Sequence, residues 1–126
     1  MNSPYDQIVQ TIDRAYIQGI QIEQDEDKVR AGFHPDFAML VARDAGLTKV
    51  DPMQFLAMMR KRRAENPSAF IPPVSFQVPL VSIEGSAAVA RVEVSRAEKH
   101  LFTDYLLLYR IDDRWQIVSK IYQSHT

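Results

Sequence analysis

The chain has 126 residues, of which 46% are hydrophobic and 25% are charged. These ordinary globular values exclude a disordered or fibrous protein, and the length suits one domain, 1–126, with its own core. Fifteen Lys and Arg nearly balance sixteen Asp and Glu, for a formal net charge of -1. The chain therefore lacks the basic excess that a dedicated nucleic-acid binder needs to neutralise phosphates.

Several classes of site and location are also excluded by composition. There is no cysteine, so disulfides, thiol nucleophiles and thiolate metal sites are ruled out. Residues 1–6 lack the basic and apolar regions of a signal peptide, and no apolar run approaches the roughly 20 residues of a membrane helix. We therefore expect a cytoplasmic protein without membrane contact. His34, His100 and His125 have no metal-ligand spacing, and no nucleotide or phosphate motif occurs, so we predict no metal and no cofactor.

The first half of the chain predicts three helices. Ser3-Pro4 provides an N-cap and a first-turn proline, and an apolar stripe with helical period follows until Gly19, where we expect the helix to end. An acidic helix follows over residues 23–31, and Asp51-Pro52 begins a third helix that ends near Arg63. The basic cluster 60–63 is interpreted as a solvated helix terminus, where cations suit the helix dipole.

The remaining segments predict β-strands. Residues 37–42 and 47–50 read as two short strands, and short breaks separate the longer strands after them, which requires an antiparallel meander. Pro79 indicates an edge strand or a bulge. Helices followed by a long meander indicate an α+β fold, with helices on one face of a curled sheet and a cone-shaped cavity between them. The four long runs are 74–84, 87–96, 100–111 and 114–123.

The order of these predicted segments resembles the nuclear transport factor 2-like, or cystatin-like, α+β cone, over the whole chain. More closely, the chain resembles the family named "putative lumazine-binding". The motifs that carry this resemblance are Phe33-His34-Pro35-Asp36, Asp51-Pro52 with Phe55, the run from Thr103 to Leu108, and the run from Trp115 to Ile121. The superfamily contains ketosteroid isomerases, scytalone dehydratase, polyketide cyclases and non-catalytic modules, so the resemblance implies a fold rather than a reaction. It also implies a homodimer formed through the open sheet face.

Three residues are candidates for acid–base catalysis. His34 lies at a loop-to-strand junction and could act as a general base, or could hold the loop through a backbone hydrogen bond. Asp104 is a carboxylate in an otherwise apolar strand, which is costly unless the group is paired or exposed. A His34–Asp104 dyad could transfer a proton beside a carbonyl. Tyr16 falls near the position of a phenolic donor in several superfamily members.

The alternation of the strand 100–111 decides which residues face the cavity. Alignment of the final hairpin with the ketosteroid isomerases puts Leu107 roughly where that family has its protonated catalytic aspartate. This resemblance implies that the odd-numbered face, with Tyr105, Leu107 and Tyr109, lines the cavity. Asp104 would then lie outside, paired with Arg110 across a dimer.

Three residues of the last strand complete the candidate ligand-binding set. Trp115 follows the hairpin turn, where it closes one end of the sheet as a core aromatic or contacts a ligand. Lys120 could hold an anionic ligand or be exposed to solvent, and Tyr122 continues its face.

These observations favour a protein that binds a small organic ligand in an apolar pocket between the helices and the sheet. One alternative is a cofactor-independent isomerase, dehydratase or cyclase that uses His34 with Tyr16 or Asp104. Another is a dimerisation or assembly module that acts through the open sheet face.

Overall fold

A computed structural model of residues 2–126 shows helices packed on one face of a curved, six-stranded sheet. The helical part comprises α1 (Pro4–Thr11), a π-helical segment (Ile12–Ile22), α2 (Glu26–Gly32), α3 (Pro52–Glu65) and a 3-10 turn (Pro67–Phe70). The strands are β1 (Phe33–Arg43), β2 (Gly46–Val50), β3 (Val74–Glu84), β4 (Ala87–Arg96), β5 (Lys99–Ile111) and β6 (Arg114–Ser124). The predicted α+β class, with helices on one face of a curled sheet, is confirmed.

The first helix begins as its sequence predicts but ends later. The Ser3 side chain accepts a hydrogen bond from the Asp6 amide at 3.1 Å, which satisfies one free donor of the first turn. The predicted end at Gly19 is wrong, because the helix continues with wider π-type turns to Ile22. Gly19 instead allows α2 to approach closely, since a Cβ atom there would lie 3.2 Å from Val29 Cγ2.

The third helix is fixed by a reciprocal cap at its start. The Asp51 carboxylate accepts from the Gln54 amide at 2.8 Å, and the Gln54 side chain accepts from the Asp51 amide at 2.9 Å. Pro52 follows at the first helical position, where its missing N–H has no cost. The predicted start of this helix is confirmed.

The sheet has the strand order β2-β1-β6-β5-β4-β3, with β1 and β6 parallel and every other pair antiparallel. Strands β3 to β6 are consecutive neighbours, so the predicted meander is confirmed. Pro79 lies in the edge strand β3, where the register with β4 shifts between Gln77 and Leu80. Strand β1 begins earlier than predicted, because Phe33 already pairs with Ile117 of β6 before an irregular stretch that ends at Ala38.

The inner face of β5 is the even-numbered one, so the odd-face assignment is wrong. Asp104, Leu106 and Leu108 are fully or almost fully buried, and they pair with Val92, Ala90 and Ala88 of β4, which are buried too. Three odd-numbered residues are exposed on the outer face: Tyr105 at 38%, Leu107 at 48% and Tyr109 at 51%. The free energy gained by burying the apolar residues of this face outweighs the cost of burying the Asp104 carboxylate. That cost is reduced because the carboxylate has hydrogen-bond and ion-pair partners.

A bulge in β6 decides which of its side chains face inward. Leu107 pairs with Ser119 while Leu108 pairs with Ile117, so Val118 is an extra residue in the strand. The extra residue reverses the alternation of side chains beyond it. Trp115 and Ile117 are therefore buried before the bulge, and Lys120 is buried after it.

Candidate functional site

Four polar side chains meet inside the cone; we call Tyr16, Gln21, Asp104 and Lys120 the buried cluster. The Tyr16 hydroxyl donates to Asp104 Oδ2 at 2.5 Å and accepts from Lys120 Nζ at 2.9 Å and Gln21 Nε2 at 3.2 Å. Lys120 Nζ also forms an ion pair with Asp104 Oδ1 at 3.3 Å. That oxygen is buried and accepts no hydrogen bond. Lys120 therefore meets this oxygen through charge attraction rather than through a well-directed hydrogen bond.

The local backbone explains how each member reaches the buried cluster. Tyr16 and Gln21 are five residues apart in the π-helical segment, where an i→i+5 pattern brings such positions to one side of the helix. Asp104 is on the inner row of β5 and pairs with Tyr122 of β6. Lys120 joins them because the bulge at Val118 turns it inward.

The ammonium group of Lys120 is surrounded by aromatic rings as well as by the carboxylate. Its Nζ atom lies 4.5 Å from the ring centre of Tyr16, 4.7 Å from that of Phe55 and 5.0 Å from that of Tyr122. Ring faces carry partial negative charge and attract a cation at such distances. The residue is only 3% exposed, so solvent exposure of Lys120 is excluded.

Burial shifts the proton affinities of the buried cluster. Burial raises the pKa of Tyr16 well above its ordinary value, and the Asp104 charge raises it further. Burial also lowers the pKa of Lys120; Asp104 opposes this shift, while the charge of Arg62 adds to it. Tyr16 is therefore a neutral hydrogen-bond donor near neutral pH, held against a carboxylate.

The centre of the cone is nearly filled by these side chains. The space beside Lys120, Phe55, Met59 and Tyr122 has a volume of about 20 Å³, enough for about one water molecule. The predicted hollow beneath the helices is therefore mostly closed, because Lys120 and its aromatic neighbours occupy it.

A larger space opens at one end of the cone, between α3, the 3-10 turn and the β4–β5 turn. This mouth cavity has a volume of about 530 Å³. It shares Gln21, Met59, Arg62 and Phe102 with the small space beside Lys120, so it adjoins the buried cluster. The mouth cavity is lined by Gln21, Met59, Arg62, Ser68, Ala69, Phe70, Ile71, Arg96, Ala97, Lys99, Leu101, Phe102 and Thr126.

Arg96 connects the wall of the mouth cavity to the buried cluster. It is 8% exposed, and its Nη2 donates to the Gln21 carbonyl oxygen at 2.8 Å. Its guanidinium also lies 4.9 Å from the ring centre of Phe70, in the 3-10 turn. Gln21 in turn donates to Tyr16, so one polar path runs from the mouth to Asp104.

His34 lies apart from the buried cluster. Its Nδ1 accepts from the Asp36 amide at 3.0 Å, which is the loop-holding contact considered as the alternative to catalysis. The preceding Phe33 aligns with Ile117 of β6, whereas Asp104 aligns with Tyr122, about 13 Å further along at ~3.3 Å per residue. The structure therefore does not form the His34–Asp104 dyad; it joins Asp104 to Tyr16 instead.

The predicted ligand-binding residues are divided between different regions. Tyr105, Leu107 and Tyr109 cover the outer face, so they do not line the cone. Trp115 is buried at the turn end of the β5–β6 hairpin, beside a separate cavity of about 260 Å³. Tyr122 lies by Lys120 and lines the small space that adjoins the mouth cavity. A ligand contact by any of these residues stays a prediction.

Sequence reasoning missed the residues that form the mouth. Arg62 was interpreted as part of a solvated helix terminus, yet it lines the cavity. Arg60 and Arg63 of the same cluster donate to backbone oxygens of Gln24 and Ile22. The cations of the mouth meet only because α3 packs against the end of the first helix. One signal was present in the sequence: Met59 and Arg62 are three residues apart, which places them on the same face of a helix.

Comparison with known proteins identifies the family. The family described as "Putative lumazine-binding" matches residues 5–123. The chain belongs to this family. The resemblance inferred from its motifs is thereby confirmed. No curated protein matches the chain.

Solved structures support the same fold. A nuclear transport factor 2-like protein of unknown function from Shewanella baltica has 24% identity and a TM-score of 0.72, with coverage of 100% of this chain and 99% of the other. A similar protein from Silicibacter pomeroyi has 19% identity and a TM-score of 0.75, with coverage of 94% and 93%. A third, from Methylobacillus flagellatus, has 23% identity and a TM-score of 0.71, covering 97% and 92%. At these identities the likeness concerns the fold.

Two further features concern possible partners. Within residues 2–126, none of the helices combines the length and apolar composition needed to cross a membrane. The same part of the chain brings no three His, Asp or Glu side chains together in a metal-binding arrangement.

Proposed function

We propose that this member of the putative lumazine-binding family binds a small organic molecule in the mouth cavity. The observation that carries the proposal is the cavity of about 530 Å³ at one end of the cone, which adjoins the buried cluster. Pockets for small ligands are typically apolar clefts of about 300–1,000 Å³ with a few placed polar groups. Met59, Phe70 and Phe102 supply apolar walls, and Gln21 supplies a polar group at the inner end.

The test is a screen with a variant that fills the mouth. Ala69 is exposed and lines the cavity, so Ala69→Trp places an indole in it; Ser86→Trp, in the exposed β3–β4 turn, is the matched control. The melting temperature is measured with a metabolite library that includes lumazine, and hits are confirmed by calorimetry. A ligand at about 100 times its Kd stabilises the native state by about 2.7 kcal/mol.

We expect hits that raise the melting temperature of the wild type and Ser86→Trp but not of Ala69→Trp. A hit that stabilises Ala69→Trp equally binds elsewhere, which contradicts the assignment of the cavity. A screen without any hit contradicts the binding function itself.

A cofactor-independent acid–base enzyme is the second candidate. The supporting observation is the hydrogen bond of 2.5 Å between Tyr16 and Asp104, whose other oxygen is held by Lys120 as an ion pair. Such a pair could donate and accept a proton at one substrate atom. The closed packing around Lys120 favours binding over catalysis, because a substrate would have to displace that side chain to reach Asp104.

We also propose that the protein forms a homodimer through the outer face of the sheet. Leu107, Tyr109 and Ile121 are each about half exposed on the outer side of the central strands β5 and β6. A contiguous exposed apolar patch of this kind favours a protein–protein contact. A second copy of the chain presents the same row of side chains, so two such faces could cover each other about a two-fold axis.

A further inference from the structure

The charged side chains of the mouth cavity have one sign. Arg62, Arg96 and Lys99 line it, and no Asp or Glu side chain does so in the described part of the chain. This differs from the whole chain, in which acidic residues slightly outnumber basic ones. The local excess of positively charged side chains is therefore a property of the site and does not reflect the composition.

These cations have no acidic partner within residues 2–126. Arg62, Arg96 and Lys99 take part in none of the ion pairs that the structure forms there. Arg96 is nevertheless buried, oriented by the Gln21 carbonyl oxygen and by the ring of Phe70. A buried guanidinium without a carboxylate is costly unless another acceptor reaches it.

The field of these cations extends into the cone. Burial is the main cause of the lowered pKa of both Lys120 and Arg96; the charge of Arg62 adds to the shift at Lys120, and the charge of Arg63 adds to that at Arg96. The cavity thus combines positive charge with the apolar side chains of Met59, Phe70 and Phe102. A ligand complementary to both has a negative group on an apolar body.

Resting on the proposed binding function, we infer that the ligand of the mouth cavity is an organic carboxylate with an apolar body, held by Arg62 and Lys99. Arg96, whose Nη2 is occupied by Gln21, stabilises the negative charge from the wall. Guanidinium and ammonium groups bind carboxylates through charge-assisted hydrogen bonds. The apolar body then packs against Met59 and Phe70.

The test compares three probes with one apolar body: indole-acetate, indole-acetamide and tryptamine. Dissociation constants are measured by calorimetry for the wild type, for Arg62→Gln/Lys99→Gln, and for Arg43→Gln/Lys49→Gln. The last variant removes two exposed cations of β1 and β2, so both variants change the net charge equally. We expect the wild type to bind the carboxylate about tenfold more tightly than the amide, a difference of about 1.4 kcal/mol, and tryptamine most weakly.

The control variant should keep this preference, and Arg62→Gln/Lys99→Gln should lose most of it while retaining the amide affinity. Equal binding of carboxylate and amide to the wild type overturns the inference. If Ala69→Trp also abolishes that equal binding, the proposed function stands while the ligand class is wrong. A preference that persists in Arg62→Gln/Lys99→Gln overturns the inference as well. Absence of binding by all three probes overturns it too, and the library screen then decides the proposed function separately.

Discussion

Asp104 is a single carboxylate in an apolar strand, and its neighbours determine its contribution to the stability of the fold. It is fully buried, yet Tyr16 donates to it and Lys120 forms an ion pair with it. Removal of water from both charges is expensive, and their mutual attraction offsets that cost only when both are present. Each charge therefore lowers the free-energy cost of burying the other, so the two are energetically coupled.

This coupling can be measured with Asp104→Asn, Lys120→Met and the double variant. Each single change leaves one buried charge without its partner and should lower the free energy of unfolding by about 3–5 kcal/mol. The double variant removes both charges, so its loss should be smaller than the sum by about 1–3 kcal/mol. Urea unfolding monitored by circular dichroism measures each value.

The matched control for this cycle is the surface pair Arg110–Asp113, whose charged atoms lie 3.7 Å apart and which is exposed. Arg110→Met and Asp113→Asn should show almost no coupling, because water screens the pair. Additive losses for Asp104 and Lys120 would show that the buried pair does not act as a unit.

At the scale of helices, close packing of α2 on the π-helical segment depends on two glycines. A Cβ atom at Gly32 would lie 2.3 Å from the Cβ of Ala15, and one at Gly19 would lie 3.2 Å from Val29. The separation at Gly32 is far shorter than any non-bonded contact between two carbon atoms, so a methyl group there must push the two helices apart. That displacement would also move Tyr16, the residue after Ala15.

Gly32→Ala should therefore lower the free energy of unfolding by about 1–3 kcal/mol, the usual cost of overpacking. The neighbouring change Ala31→Ser, at an exposed position, should stay within about 0.5 kcal/mol of the wild type. Thermal and urea unfolding provide the comparison. A Gly32→Ala protein as stable as the wild type would mean that α2 can shift without loss, contrary to the tight contact.

At the scale of the whole molecule, the curved sheet has apolar side chains on both of its faces. Its inner face packs under the helices, while Leu107 and Tyr109 are exposed on the outer face. Exposed side chains on central strands rather than at an edge favour covering by a second sheet.

Light scattering tests the proposed homodimer. The wild type should have twice the mass of the 14.5 kDa chain, and Leu107→Lys should shift the protein towards the mass of one chain, because a buried lysine at the contact would be uncompensated. Leu47→Lys is the control, since Leu47 is also exposed but lies on the edge strand β2. A wild type with the mass of one chain, or equal dissociation of both variants, would contradict the outer face as the contact.

The sequence by itself determined the order of helices and strands. Capping residues such as Ser3 and Asp51 act locally, and the breaks between strands leave too few residues for anything but antiparallel neighbours. Pro79 was correctly placed at an edge and at a shift of register, because a missing N–H has the same consequence in any sheet.

Only the tertiary structure decided which side chains meet. One extra residue, Val118, turns Lys120 inward, and a bulge of this kind leaves no clear trace in the alternation of a mostly apolar strand. Similarly, Asp104 faces the core because Tyr16 and Lys120 arrive from elements remote in sequence. The mouth cavity and its cations depend on the packing of α3 against the end of the sheet, a long-range arrangement that local patterns do not encode.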